Sequence, residues 1–316
     1  MRIGKVCLFI ICVLLIFWSC NNDDGNNNFT VIELRDRDEV QQEDMDSLNL
    51  YLATHYYNSG DFVGNFNPHL GDIVITELAE GETDAPANHT MLNDAVGDPI
   101  SLVFAETDYQ YYLLNLNQGG GTESPNFADN VRLSYEGFLL DGSVFDSAIT
   151  PVDFDLVSLI PGWRKVIPQF NTSESFMELG DGSVDFVNNG LGIMFLPSGL
   201  AYFASAQGII GVYTPIIFKF ELYQAFENDH DNDGIPSYLE DLNGDGEFTL
   251  NTDAETLDGD DTDNDGAPNY FDPDDDGDGV LTINEDSNGD GDPTNDIGKN
   301  GIPKYLDPEE TESNES

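Results

Sequence analysis

Apolar residues change their period several times along the chain, and each change predicts an element. Val6 to Trp18 is an uninterrupted apolar run behind Arg2 and Lys5. It falls short of the ~20 residues that a membrane-spanning helix needs, so residues 1–19 are expected to be a signal peptide. The run ends at Ser19-Cys20, and residues 20–28 continue as a polar tether with nothing to bury. Asp38 to Tyr57 places Met45, Leu48, Leu52 and Tyr56 near helical spacing, with Asn58-Ser59-Gly60 as the stop. Extended segments are predicted at Asp72–Leu78, Ile100–Ala105 and Tyr109–Leu116. Residues 29–117 thus read as an accessory region packed against the domain C-terminal to it.

Beyond Gly119-Gly120-Gly121 the pattern alternates. A strand at Val131–Tyr135 is followed by a hairpin signal at Asp141-Gly142 and a short apolar helix at Trp163–Phe170. A longer connection, Asn171–Asn189, leads to strands at Gly192–Leu196 and Ile216–Leu222. That order predicts an α+β fold over residues 118–226, an antiparallel β-sheet wrapped over one short helix. Residues 227–308 carry few apolar positions and predict little regular structure, and 309–316 read as a frayed tail.

Charge sharpens the picture. The chain holds 61 acidic and 10 basic residues, a formal charge of −51. Nothing in such a chain neutralises phosphates, so unaided nucleic-acid binding is excluded. About half of the acidic residues follow Phe226, a density that calls for a counter-charge, and divalent cations supply it most economically. The three cysteines are Cys7, Cys12 and Cys20, which leaves the body without a disulfide framework, a zinc cluster or a thiol nucleophile. His55, His69 and His89 are scattered without metal-ligand spacing. Between residues 128 and 224 there is no histidine or cysteine, and Arg132, Arg164, Lys165 and Lys219 are the basic residues. Histidine- or thiol-based nucleophilic catalysis is therefore excluded in that segment.

Several motifs carry resemblances. Phe17-Trp18-Ser19-Cys20 resembles a lipobox, which implies an exported lipoprotein of the outer membrane, anchored through acyl chains on Cys20. A plain signal anchor or a secreted chain are the other readings of the same run. Leu133-Ser-Tyr-Glu-Gly137, Leu140-Asp-Gly-Ser-Val-Phe-Asp-Ser147, Ile160-Pro-Gly-Trp163, Leu196-Pro-Ser-Gly-Leu-Ala-Tyr202, Gly208-Ile-Ile210 and Ile217-Phe-Lys-Phe-Glu-Leu222 resemble, in order, the motifs of FKBP-type peptidyl-prolyl cis-trans isomerases. The resemblance implies a proline pocket lined by Tyr135, Phe145, Asp146, Ile160, Trp163, Tyr202 and Phe218. Trp163 would form its floor and the rings of Tyr135, Phe145 and Phe218 its walls. Asp146 and Tyr202 would stand at the rim, and the Ile160 N–H would hold a substrate carbonyl. Phe154 and Ile210 match further edge positions. Phe203 stands where the family usually has glycine, and Ala206 where some members have a polar or aromatic residue. No cofactor is implied for catalysis. The clients would be proline-containing polypeptides.

The acidic region repeats a loop. Asp229, Asp231 and Asp233 precede Gly234, and Glu240 takes the twelfth place. Asp274, Asp276, Asp278, Gly279 and Glu285 repeat this spacing, as do Asp261, Asp263, Asp265, Gly266 and Asp272. Asp241, Asn243, Asp245 with Gly246, and Asp286, Asn288, Asp290 with Gly291, match the first half of the loop only. Oxygen ligands at positions 1, 3, 5 and 12 with glycine at 6 are what a calcium loop requires. The recurrence of Gly234-Ile-Pro-Ser-Tyr-Leu-Glu240, Gly266-Ala-Pro-Asn-Tyr-Phe-Asp272 and Gly301-Ile-Pro-Lys-Tyr-Leu-Asp307 resembles thrombospondin type 3-like repeats. The resemblance implies structural calcium. His230 occupies a non-ligand position and is expected to face solvent. Three functions fit the whole: a prolyl isomerase for exported proteins, a proline-binding chaperone module without turnover, or a calcium-dependent adhesive surface protein.

Overall fold

The computed structural model describes residues 34–252 and 258–314. The expected signal peptide, Cys20 and the tether lie outside these residues. Helix α1 spans Arg37–Thr54. Asp36 opens it by accepting a hydrogen bond from the Glu39 backbone N–H (3.1 Å), and Asp38 and Glu39 complement the positive end of the helix. The helix stops at Thr54, short of the predicted Tyr57. His55–Tyr57 leaves it as strand β1, which pairs with β2 (Ile75–Glu77) and β3 (Thr90–Met91). Tyr56 therefore sits opposite Met91 on a strand, where an aromatic ring fits the pleat.

A short helix, α2 (Leu92–Val96), leads to β4 (Ile100–Phe104) and β5 (Thr107–Gln118). The hairpin β6 (Asn130–Leu139) and β7 (Val144–Asp155) comes next, turning at Asp141-Gly142 with Gly142 at φ 81°. Helix α3 (Pro161–Val166) starts with proline in its first turn and continues as a 3₁₀ turn to Gln169. The long connection folds as its own hairpin, β8 (Ser175–Glu178) and β9 (Val184–Val187), before β10 (Gly190–Leu196) and β11 (Ile216–Phe226). The main sheet is antiparallel throughout, in the order β4-β5-β10-β11-β6-β7. The architecture is α+β.

Both faces of this sheet are covered. Tyr109, Tyr111, Met194, Leu196, Ile216, Phe218, Phe220 and Leu222 share a core with Trp163, Val166 and Phe170 of the α3 segment. On the other face Tyr112, Leu114, Leu191, Ile193, Phe195 and Ile217 pack with Met45, Leu48, Tyr51 and Leu52 of α1. Every residue of β10 is buried for that reason, and its sequence reads as a continuous apolar run. The expected division between an accessory region and the next domain at residues 117/118 thus falls inside the sheet. β5 is hydrogen-bonded to β10 from Tyr112 to Gln118, and β4 and β5 supply two of six strands.

The acidic segment also docks instead of standing apart. Glu247 receives Arg164 (2.6 Å) and Lys165 (3.0 Å) of α3, and Lys165 Nζ also donates to the carbonyls of Asp245 and Gly246 (3.0 Å each). Phe248 lies between Phe127 (ring centroids 5.2 Å apart) and Tyr270 (4.0 Å, stacked). His230 does not face solvent as expected. Its ring meets Tyr270 edge-on at 5.2 Å, and its nitrogens approach Ser237 Oγ (2.9 Å) and Asp155 (3.4 Å). Nor is the tail frayed through Asn314: Glu310 pairs with Lys299 (3.0 Å), and the Asn314 backbone N–H donates to the Asn284 carbonyl (2.7 Å). Among the described residues no helix is long and apolar enough to cross a membrane.

Candidate functional site

Strands β6, β7 and β11 and helix α3 bring their aromatic residues to one place. The Phe218 ring lies 4.9 Å from Trp163, 5.3 Å from Phe145 and 6.1 Å from Tyr135. Tyr135 in turn meets Trp163 edge-on (5.8 Å) and Phe154 (5.6 Å). Gly137 makes this crowding possible, since a Cβ there would sit 2.5 Å from Phe145 and 2.6 Å from Phe218. The Tyr135 hydroxyl donates to Asp146 Oδ2 at 2.6 Å, while Asp146 Oδ1 accepts from the Ser147 N–H. Burial, then that carboxylate, pushes the Tyr135 phenol well above its ordinary range, so it stays a donor.

A cleft of about 350 Å³ opens beside this cluster, lined by Val144, Phe145, Asp146, Tyr202 and the turn Gln207–Ile210. Its size sits at the low end of the roughly 300–1,000 Å³ usual for small-ligand pockets. Phe145, Asp146, Tyr202 and Ile210 therefore line the cleft directly. Tyr135, Trp163 and Phe218 lie behind them, only 8%, 4% and 3% exposed, so the expected floor is sealed in this conformation. Ile160 caps the start of α3, where a backbone N–H has no partner within the helix, and packs on the same core.

The loop that carries Tyr202 and Ile210 is tied down by Arg35, Arg37 and Tyr213, which the sequence did not single out. Phe203 has φ 46°, a left-handed backbone that costs a side chain about 1–2 kcal/mol. Its ring is held edge-on to Tyr213 (5.0 Å) and beneath the Arg37 guanidinium (4.2 Å). Arg37 also donates to the Tyr109 hydroxyl (2.8 Å), and the Arg35 N–H donates to the Tyr213 hydroxyl (3.1 Å). Upstream of the loop, buried Asp44 of α1 accepts from both the N–H (2.7 Å) and the hydroxyl (2.6 Å) of Ser198. Burial pushes the Asp44 carboxyl up to about 6 despite these two donors. No local signal couples Arg37 to Phe203, because the two are joined only by the fold.

In the acidic segment each sixth-position glycine is left-handed, from φ 74° at Gly246 to 100° at Gly266. Its N–H donates back to the first-position aspartate: Gly234 to Asp229, Gly246 to Asp241, Gly266 to Asp261, Gly279 to Asp274 and Gly291 to Asp286. Three carboxylate groups converge: Asp261, Asp263 and Asp265; Asp274, Asp276 and Asp278; and Asp231, Asp233 and Glu240 with Asp275. Asp229, Asp241, Asn243, Asp245, Asp272, Glu285, Asp286, Asn288 and Asp290 lie outside those three groups. Burial, then the charge of Asp275, pushes Glu240 up to about 11. Burial, then Asp233, pushes Asp275 up to about 10. Glu285 is raised to about 8 by burial and by Asp276.

Two stretches match known families. Residues 121–183 match the family described as FKBP-type peptidyl-prolyl cis-trans isomerase, a span that includes Tyr135, Phe145, Asp146, Phe154, Ile160 and Trp163. Residues 230–297 match the family described as BamM C-terminal. The chain is 33% identical over 117 residues to the peptidyl-prolyl cis-trans isomerase Mip of Coxiella burnetii, a match covering 36% of this chain and 43% of that protein. It is 45% identical over 113 residues to the FKBP-type 22 kDa peptidyl-prolyl cis-trans isomerase of Escherichia coli, covering 34% and 47%. To the outer membrane protein MIP of Legionella longbeachae it is 31% identical over 125 residues, covering 38% and 46%. The chain thus spans less than half the length of these relatives. With the order of its motifs and the ring cluster, these matches identify the middle of the chain as an FKBP-type domain.

Proposed function

We propose that this chain is a peptidyl-prolyl cis-trans isomerase that works without covalent chemistry or a cofactor. One observation carries the proposal: five aromatic rings and the Tyr135–Asp146 hydrogen bond gather beside a cleft whose rim is Phe145, Asp146, Tyr202 and Ile210. Rotation about a prolyl amide faces a barrier of ~18–20 kcal/mol from resonance. Water stabilises the planar, charge-separated amide, so an apolar wall favours the twisted form by withholding that water. The Asp146 carboxylate supplies a polar contact at the rim, and the Ile160 N–H, at the start of α3 and outside the residues that line the cleft, is the second polar group assigned to the substrate. Phe145 touches Phe218, and Phe218 touches Trp163, so a prolyl ring reaches the floor by turning the half-buried Phe145 aside. Rotamer changes of this kind are common on binding.

A second reading, a proline-binding module with little turnover, draws on the sealed floor and on the clamp that Arg35 and Arg37 place on the rim loop. Isomerisation of a Xaa-Pro peptide by the full chain separates the two. The proposal expects acceleration over buffer and a fall of about tenfold or more in Trp163→Leu and in Asp146→Ala. Equal rates for all three proteins, none faster than buffer, would leave only the binding module.

The acidic repeats are assigned to calcium. Both carboxylate oxygens of Glu240, Glu285 and Asp275 are buried without a hydrogen-bond donor, and such groups need a cation or a proton. The assignment rests on the loops themselves, not on the likeness to thrombospondin type 3-like repeats. Export and anchoring through lipidated Cys20 complete the proposal, in keeping with the name of the Legionella relative. A mass spectrum of the N-terminal fragment showing an unacylated Cys20 would remove the anchor.

A further inference from the structure

Loop positions 1, 3 and 5 face a loop's own ion, and the residue between them has no part in that ladder. Asp275 is such a residue, lying between Asp274 and Asp276. Its side chain joins Asp231, Asp233 and Glu240 of the first loop, with ligand oxygens of all four within 4.8 Å of one another. Glu240, Asp275 and Asp233 are 0%, 1% and 1% exposed. Both oxygens of Glu240, both of Asp275 and one each of Asp231 and Asp233 have no hydrogen-bond partner. Opposite oxygens around a calcium ion stand about 4.6–5.2 Å apart, twice the metal–oxygen distance. Magnesium draws them to about 4 Å and keeps several waters.

We infer that Asp275 is a cross-loop calcium ligand: one ion held by Asp231, Asp233, Glu240 and Asp275 fastens residues 229–240 to residues 274–285. This rests on the reading of the repeats as calcium loops and adds a ligand that their spacing does not reveal. Loading the first site then orders two segments that are distant in the chain, so calcium binding to the array is coupled between loops.

Hydrogen exchange of the full chain, followed by mass spectrometry across a calcium titration, tests this. In the wild type calcium is expected to protect both 229–240 and 273–277. In Asp275→Asn, protection of 229–240 should need at least about tenfold more calcium, as expected when a charged ligand is lost. Exchange over 130–226 reports whether the variant is folded. The reciprocal variant, Glu240→Gln, should delay protection at 273–277 although that segment carries no substitution. Unchanged calcium dependence of 229–240 in Asp275→Asn, or of 273–277 in Glu240→Gln, overturns the cross-loop ligand. A wild type that gains no protection anywhere from calcium overturns the calcium reading itself, a different result.

Discussion

The hydrogen bond from Tyr135 to Asp146 ties the inner ring cluster to the rim, and its contribution can be worked out from its surroundings. The two residues sit on the β6–β7 hairpin, where Gly137 is directly opposite Asp146 and Tyr135 is opposite Ala148. The bond is short, 2.6 Å, and its acceptor is a carboxylate, which places it in the stronger class. Asp146 is exposed and regains water when its partner is removed, whereas Tyr135 is a buried residue and its hydroxyl regains less. Asp146→Ala is therefore expected to cost about 1–3 kcal/mol, and Tyr135→Phe less. A double-mutant cycle in urea at fixed calcium should give a coupling of about 1–2 kcal/mol with unchanged m-values. Isomerisation should obey the same logic. If the bond serves to hold the carboxylate, Tyr135→Phe slows turnover less than Asp146→Ala, and the double variant is no slower than Asp146→Ala alone. Additive stabilities within about 0.3 kcal/mol would show that the bond contributes nothing. A Tyr135→Phe variant slower than Asp146→Ala would refute the positioning argument, because the tyrosine would then act on its own account.

Gly137→Ala should cost about 1–3 kcal/mol by driving a methyl group into Phe145 and Phe218, and should slow isomerisation with it; wild-type stability and rate together would contradict the packing described. Arg37→Ala removes the cation over Phe203, so amide exchange across 203–213 should quicken while the β6–β7 hairpin keeps its protection. Asp44 gives a pH effect of definite sign. Its carboxyl holds a proton more tightly in the folded chain (about 6) than when unfolded (3.8), so its contribution is most favourable below pH ~4 and is lost as pH rises through 6. That loss approaches about 3 kcal/mol, and the wild-type-minus-Asp44→Asn difference in urea stability should change by that order between pH 4 and pH 7. A difference that stays flat over this range would count against the buried, ionisable Asp44.

Most of the ring cluster was legible in the sequence because Tyr135, Phe145, Trp163 and Phe218 each fall within a short motif and the motifs succeed one another in hairpin–helix–strand order. The sixth-position glycines were legible for a local reason too, since a left-handed turn needs them. What escaped was set by contacts between distant segments. Gly190–Leu196 announces that both of its faces are covered, but nothing local says that α1 covers one and α3 the other. The break at Gly119-Gly120-Gly121 suggested a domain boundary, yet Gly119 and Gly121 are small to clear the carbonyls of Asn171 and Thr172, and Gly120 the side chains of Glu174 and Asn188. Tyr56 kept the helical period past Thr54 because an aromatic residue satisfies either period when both faces are partly buried. Asp275 was hidden among neighbouring aspartates, where spacing alone does not distinguish a ligand of one loop from a ligand of another.

The grip of Glu247 on Arg164 and Lys165 bears on how this molecule can be dissected. Both bases sit on the helix that presents Trp163, side by side and largely shielded from water. Severing the chain after Phe226 would leave two adjacent like charges without the anion between them, on the same turn as the indole. The excised fragment would then relax that turn to separate them, and its kinetics would describe a rearranged helix instead of the one in the whole molecule.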